Sequence, residues 1–336
     1  MKKQFNLVLQ TIPDRHERLQ DFHYTFSNMP EKPNDELFEQ DPSQYIQALE
    51  LLSNEKPGLF VNDMDGGKFH FVSHVHNDAL SKMVTKFVQE ELLKNRCKLD
   101  EIWLPLDFNL PKEQMVNIFM SKDALTNPNK LLILIQGSGG VRAGQWSRSL
   151  CYGVIVLNPN QNTYIPSQLN DHLQYKKEDF LSRNKSSLKK DIEKPIPHHE
   201  SPSDHATYVW DHFIQKAAAK DMVIVAHSAG GWCTMELLKN RTRETLSKVR
   251  AVAFTDSWIN LSLDPSHEQV REFIVENAVN WVESEKPCND VLCLPKREQG
   301  ATTCECRSAG HLKHEYTSEC CREAVFEFLQ TKLQHL

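Results

Sequence analysis

The run Met222-Val223-Ile224-Val225-Ala226-His227-Ser228-Ala229-Gly230-Gly231 constrains this chain more than any other stretch. A short apolar strand ends in a serine flanked by very small residues, and a helical pattern follows at once. Such a sharp strand-to-helix turn holds its serine in a strained backbone conformation, so the residues two before and two after it must be small. Here they are Ala226 and Gly230. The usual pattern has glycine at both places, and the alanine adds one methyl group to the turn.

Other apolar runs resemble the one before Ser228. Ile102 to Leu106, Val116 to Met120, Leu131 to Ile135 and Gly153 to Asn158 read as strands, the last two almost wholly apolar, as strands covered on both faces must be. Helical spacing of Leu80, Met83, Val84, Phe87 and Val88 predicts a helix from Asp78 to about Lys94. A second helix follows Ser201-Pro202-Ser203-Asp204, where a capping serine precedes a proline at the first helical position. Further on, helix Ala229 to Asn240, strand Val249 to Thr255, helix Ser266 to Val282, a strand near Thr303 to Arg307 and a helix Ser318 to Leu333 are expected. Strands alternating with helices imply an α/β fold of α/β-hydrolase type, with a mostly parallel central sheet flanked by helices.

Composition bounds the partners. The chain has 336 residues, net charge −6 and a pI near 6.2, and Pro13 to Lys68 holds twelve acidic residues against five basic. Direct, sequence-independent nucleic-acid binding is not expected. Residues 1–77 read as an acidic N-terminal extension packed on a domain spanning 78–336, with a flexible insertion at about 159–204. Neither a membrane span nor a secretion signal is expected, since Asn6 and Gln10 interrupt the apolar start.

No cofactor or metal is expected. Six cysteines cluster at Cys288, Cys293, Cys304, Cys306, Cys320 and Cys321 and read as reduced thiols. A zinc set of Cys304, Cys306, His311 and His314 lacks the usual two-residue spacer. His70, His74 and His76 would share one face of an extended strand with no carboxylate or cysteine to complete a metal set.

A serine becomes nucleophilic when a histidine accepts its proton, and a carboxylate must hold that histidine. In α/β-hydrolases the order is Ser, Asp/Glu, His. Asp256 directly follows the strand Val249 to Thr255 and is assigned by elimination, with Asp264 and Asp290 as alternatives. His311 and His314, in the loop after the last strand, are candidate bases. For the oxyanion hole, Ala229 offers one backbone N–H, and the loop Gln136-Gly137-Ser138-Gly139-Gly140 offers a second, from Ser138 or Gly139.

Longer motifs carry a resemblance. Gln136 to Gly139, Val141 to Trp146, Gly153 to Asn160, Tyr208 to Ile214, Ala226-His227-Ser228, Thr255-Asp256-Ser257 and Ser308-Ala309-Gly310 with His314-Glu315 are similar to the argonaute-binding-protein-two (Arb-two) family, in its animal cotranscriptional-regulator branch. That resemblance extends from about Arg18 to Leu329. It implies an α/β-hydrolase-like fold, the histidine role falling on His314, and life in nucleus and cytoplasm. The partners it implies are argonaute proteins in RNA silencing and proteins of chromatin and alternative splicing. Where the family usually has histidine before the first glycine of the oxyanion loop, this chain has Gln136. Two functions follow as expectations: a protein-binding scaffold, or a serine hydrolase acting on a small ester or thioester through Ser228, His314 and Asp256.

Overall fold

The computed structural model describes residues 24–27, 59–62, 83–138, 153–166, 193–259, 265–294 and 304–334. The chain divides into two compact units, Met1–Lys98 with Ser147–Cys151, and Leu99–Trp146 with Tyr152–Leu336. In the first, β1 (Tyr24–Ser27) pairs antiparallel with β2 (Leu59–Asn62). A helix described from Met83 continues as a π-helix over Val88–Arg96 and closes with the Cys97 N–H on the Leu92 carbonyl. The expected cap Asp78 and the strand carrying His70, His74 and His76 lie outside the described residues.

The second unit is built on β3 (Asp100–Leu104), β4 (Val116–Met120), β5 (Lys130–Ile135), β6 (Gly153–Val156), β7 (Thr163–Tyr164), β8 (Lys194–Pro195), β9 (Asp221–His227), β10 (Val249–Thr255), β11 (Ala278–Val282), β12 (Val291–Cys293) and β13 (Glu305–Ser308). Its helices are α1 (Pro202–Val209), α2 (Ala229–Asn240), α3 (Thr242–Lys248), α4 (Glu268–Asn277), α5 (His314–Cys320) and α6 (Arg322–Gln334). Nine strands form one sheet in the order β12-β13-β11-β10-β9-β5-β6-β4-β3. Among the described residues only β4 and β12 run against the other strands of this sheet. An antiparallel hairpin at one edge followed by parallel strands, with the serine turn on central β9, is the α/β-hydrolase arrangement.

Physical chemistry explains why β5 and β9 sit in the middle. Their Leu131 to Ile135 and Met222 to Ala226 side chains are buried on both faces, so uninterrupted apolar sequence is required there. Lys130 opposite Asp221 starts their register, and Ile133 lies opposite Ile224. Helix α1 begins as expected: the Ser201 hydroxyl accepts from the Asp204 N–H at 3.1 Å and Pro202 opens the first turn. Its buried stripe runs on through a π-helical turn, Trp210–Ile214.

Several boundaries differ from expectation. The helix expected over Ser266 to Val282 ends at Asn277, and Ala278–Val282 is instead β11, inserted between β10 and β13. The closing helix is two, α5 and α6, and His314 is the first residue of α5 rather than part of a loop. Strand β3 stops at Leu104, before Pro105, which has no N–H to donate. Strand β6 stops at Val156, so Asn158 lies beyond it. Parts of the expected insertion, 159–166 and 193–204, are ordered by the antiparallel pair β7 and β8; residues 167–192 lie outside the described ones. Among the described residues no helix is long and apolar enough to cross a membrane.

Candidate active site

Ser228 stands between β9 and α2 with φ 52° and ψ −123°. A positive φ is costly for a residue with a Cβ, and the surroundings enforce it. The Ser228 N–H donates to the Thr255 carbonyl at 3.0 Å, while the Ser228 carbonyl accepts from Gly231. Two glycines give the turn its room. A Cβ on Gly230 would lie 2.5 Å from the Ile135 carbonyl oxygen, and one on Gly137 would lie 2.8 Å from Ser228 Cβ. The loop after β5 therefore presses directly on the serine. Ala226, in place of the usual glycine, is fully buried in the core.

Asp256 follows β10 and also has a positive φ, 48°. Its N–H donates to the Trp281 carbonyl at 2.6 Å, which turns the side chain toward α5. There the His314 Nδ1–H donates to Asp256 Oδ2 at 2.6 Å. A carboxylate only accepts, so this contact fixes the proton on Nδ1 and leaves the Nε2 lone pair available. The second carboxylate oxygen accepts from the Glu283 N–H at 3.3 Å. Residues 257 and 280 lock the strand ends: the Ser257 hydroxyl donates to the Ala226 carbonyl, and Asn280 Nδ2 to the Ser257 carbonyl.

Sequence reasoning missed Glu283. It follows β11, the strand that had been expected as helix, and its carboxylate is 4.0 Å from His314 Nδ1. Hydrogen bonding to Asp256, then that residue's charge, pushes the Glu283 carboxyl upward. The β-branched and aromatic residues Val279, Trp281 and Val282 were the available strand signal. His227 was missed as well. Its ring lies 4.6 Å from that of His314, and its Nδ1–H donates to the Thr255 carbonyl at 2.8 Å. Burial, then the neighbouring His314, lower its pKa, so a neutral ring flanks the histidine that would become charged.

The structure brings Asp256 and His314 together but leaves the serine link open: among the described residues, no hydrogen bond joins the Ser228 hydroxyl to His314. His311 has a different place, its Nδ1 accepting from the Lys313 N–H and its ring against Tyr316. Asp264 and Gly139 lie outside the described residues, and the Asp290 carbonyl accepts from Ser308 across β13. Ala229 opens α2, where its N–H is one of the free first-turn donors of a helix. Ser138 is exposed next to buried Gly137.

A loop rich in amides supports that glycine. Asn160 Nδ2 donates to the Gly137 carbonyl, and because a trans peptide points its N–H opposite its carbonyl, the Ser138 N–H is turned away from Asn160. Asn158 donates to Asn117 Oδ1 at 2.8 Å and accepts from Gln136 Nε2 at 3.2 Å. Thus Gln136 is tied to the residue two positions beyond β6. The Asn158 N–H donates to His205 Nε2, and His205 meets His199 with 3.0 Å between Nδ1 atoms.

Among the described residues, Asp256, Glu283 and His314 are a set of potential metal ligands within 4.8 Å of one another. With Asp256 and His314 already hydrogen-bonded to each other, the donor set favours a proton-handling pair over ion coordination. The zinc combination weighed from sequence is divided: His314 faces Asp256, whereas Cys306 contacts the Cys304 carbonyl at 3.7 Å.

The Arb2 domain model matches residues 68–151 and 148–288. The cotranscriptional regulator ARB2A of Mus musculus is 34% identical, covering 88% of this chain and 83% of that protein. Its homologue in Dictyostelium discoideum is 35% identical over 80% of this chain and 74% of its own length. Among solved structures, a histone deacetylase from Saccharomyces cerevisiae is similar at 13% identity and TM-score 0.42, covering 78% of this chain and all (100%) of that one. A bacterial heroin esterase is similar at 14% identity and TM-score 0.30, covering 54% of this chain and 52% of that one.

Proposed function

Since the chain belongs to the Arb2 domain family, we propose that it is a cotranscriptional regulator acting in the nucleus as a protein-binding scaffold. The observation carrying this reading is the 34% identity sustained over 88% of the chain to a protein named for that role. In this reading its partners are argonaute proteins and proteins of chromatin and splicing, held by the folded surface and independent of a free serine hydroxyl. The test is capture of such partners by Ser228→Ala. Partner capture equal to wild type is expected; loss of capture by a folded variant would overturn the scaffold reading.

A second reading is favoured by one specific contact, the 2.6 Å hydrogen bond between His314 and Asp256. With Nδ1 committed to Asp256, Nε2 of His314 is the base that would take the Ser228 proton during attack on an ester or thioester carbonyl. Backbone N–H groups of Ala229 and of Ser138 or Gly139 would meet the developing oxyanion. Such serine–histidine contacts are often loose before substrate binds. A fluorophosphonate probe tests this: labelling of wild type that Ser228→Ala abolishes is expected, with Asp256→Asn slowing it at least about 100-fold. Labelling that persists in Ser228→Ala would sink the assignment.

A further inference from the structure

Three thiols converge at an edge of the sheet, outside the Ser228, His314 and Asp256 constellation. Edge strand β12 runs antiparallel to β13, and Cys293 is the Cα partner of Cys306. Cys304 comes one residue before β13 and is buried, whereas Cys293 and Cys306 are half-exposed. The neutral Cys306 thiol donates to the Cys304 carbonyl at 3.7 Å; once it is deprotonated, the Cys304 and Cys293 thiols are placed to donate to its sulfur and, against the effect of burial, bring its pKa down to about 6. Cys304 itself is pushed well above the usual thiol range, first by that same bond and then by burial. A half-exposed thiol with two further thiols beside it to stabilise its deprotonated form has the setting of an oxidation-sensitive cysteine.

We propose that Cys306 is a hydroperoxide-reactive thiol that closes a disulfide with Cys293 across the β12–β13 pair. The Cys306 thiolate attacks one peroxide oxygen and the O–O bond breaks. Cys306 becomes a sulfenic acid, and the leaving hydroxide takes a proton to form water. The Cys293 thiolate then attacks the Cys306 sulfur, forming the S–S bond and expelling a second hydroxide that becomes water. Two thiols lose two electrons in total and one hydrogen peroxide gives two waters. The register shifts between Val291 and Cys293, which is what brings Cys293 opposite Cys306; paired antiparallel residues have Cα atoms about 4.5–5.5 Å apart, inside the range a disulfide spans. Cys304 and Cys306 are two residues apart along the chain, about 6.6 Å if extended, at the edge of that range. Cys304 is the thiol donor and Cys293 the resolving thiol.

The experiment treats the whole chain with hydrogen peroxide at pH 7 and maps disulfides by mass spectrometry of non-reduced digests. A Cys293–Cys306 linked peptide is expected, formed before Cys288, Cys320 or Cys321 oxidises. Iodoacetamide labelling of Cys306 should have its midpoint near pH 6 and move up by about 1–2 pH units in Cys304→Ser. In Cys293→Ser, Cys306 should persist as a sulfenic acid trapped by dimedone. A Cys304–Cys306 linkage, a Cys306 midpoint near the ordinary thiol value of about 8.5, or oxidation sparing Cys306 would overturn the proposal. The wild-type map and labelling curve stand whether or not the variants fold.

Discussion

Ser228 holds a backbone conformation that its own side chain disfavours, with φ 52°, and pays nothing back to the local helix, since its hydroxyl makes no capping bond. Glycine adopts the same φ without a Cβ penalty. Ser228→Gly should therefore raise unfolding free energy by on the order of 1 kcal/mol, while Ser228→Ala, which keeps the Cβ, should change it by less than about 0.5 kcal/mol. Urea unfolding midpoints check both, and a stability loss in the glycine variant would show that the strain is illusory. The neighbouring glycine behaves oppositely. Gly230→Ala would drive a methyl group to within 2.5 Å of a backbone oxygen, and should destabilise by about 1–3 kcal/mol in the same assay.

At the level of elements, the serine turn was legible because all its determinants are local: an apolar strand, small residues, and a helix immediately after. Strand β11 was not legible. Val270, Ile274, Ala278 and Trp281 are all buried at helical spacing, so the period of α4 continues unbroken through a strand. Because β11 carries Glu283 at its end, that misreading also concealed the second carboxylate beside His314. The loop after β6 was read as the end of a strand and the start of a flexible insertion, since amide side chains leave no periodic signal. Its central residue joins Asn117 to Gln136, so Asn158→Ala should remove one hydrogen bond from each of two buried amides and cost about 2–3 kcal/mol. Thermal or urea unfolding measures the loss; a shift smaller than about 0.5 kcal/mol would mean the network relaxes around the gap.

Over the whole molecule, buried neutral histidines set a pH dependence. Burial lowers His199 to about 4 and holds His205 well below the usual 6.5, and His227 is lowered too. The unfolded chain binds these protons first, so stability is complete above pH 6.5 and falls as the pH drops toward 4. His199 alone should account for on the order of 3 kcal/mol across that window. Unfolding measured between pH 7 and pH 4 should show this slope, and His199→Gln should flatten it. An unchanged slope in the variant would assign the acid sensitivity elsewhere. By itself, the sequence determined the alternation of strands and helices and the serine turn, and it offered candidate acids and histidines in succession after the serine, because each is written in contiguous residues or their succession. The tertiary structure alone decided that Asp256 meets His314 across 58 positions, that Glu283 stands beside them, and that Cys293 faces Cys306. Those contacts depend on strand order and register, which arise when separate apolar runs choose their neighbours in one sheet.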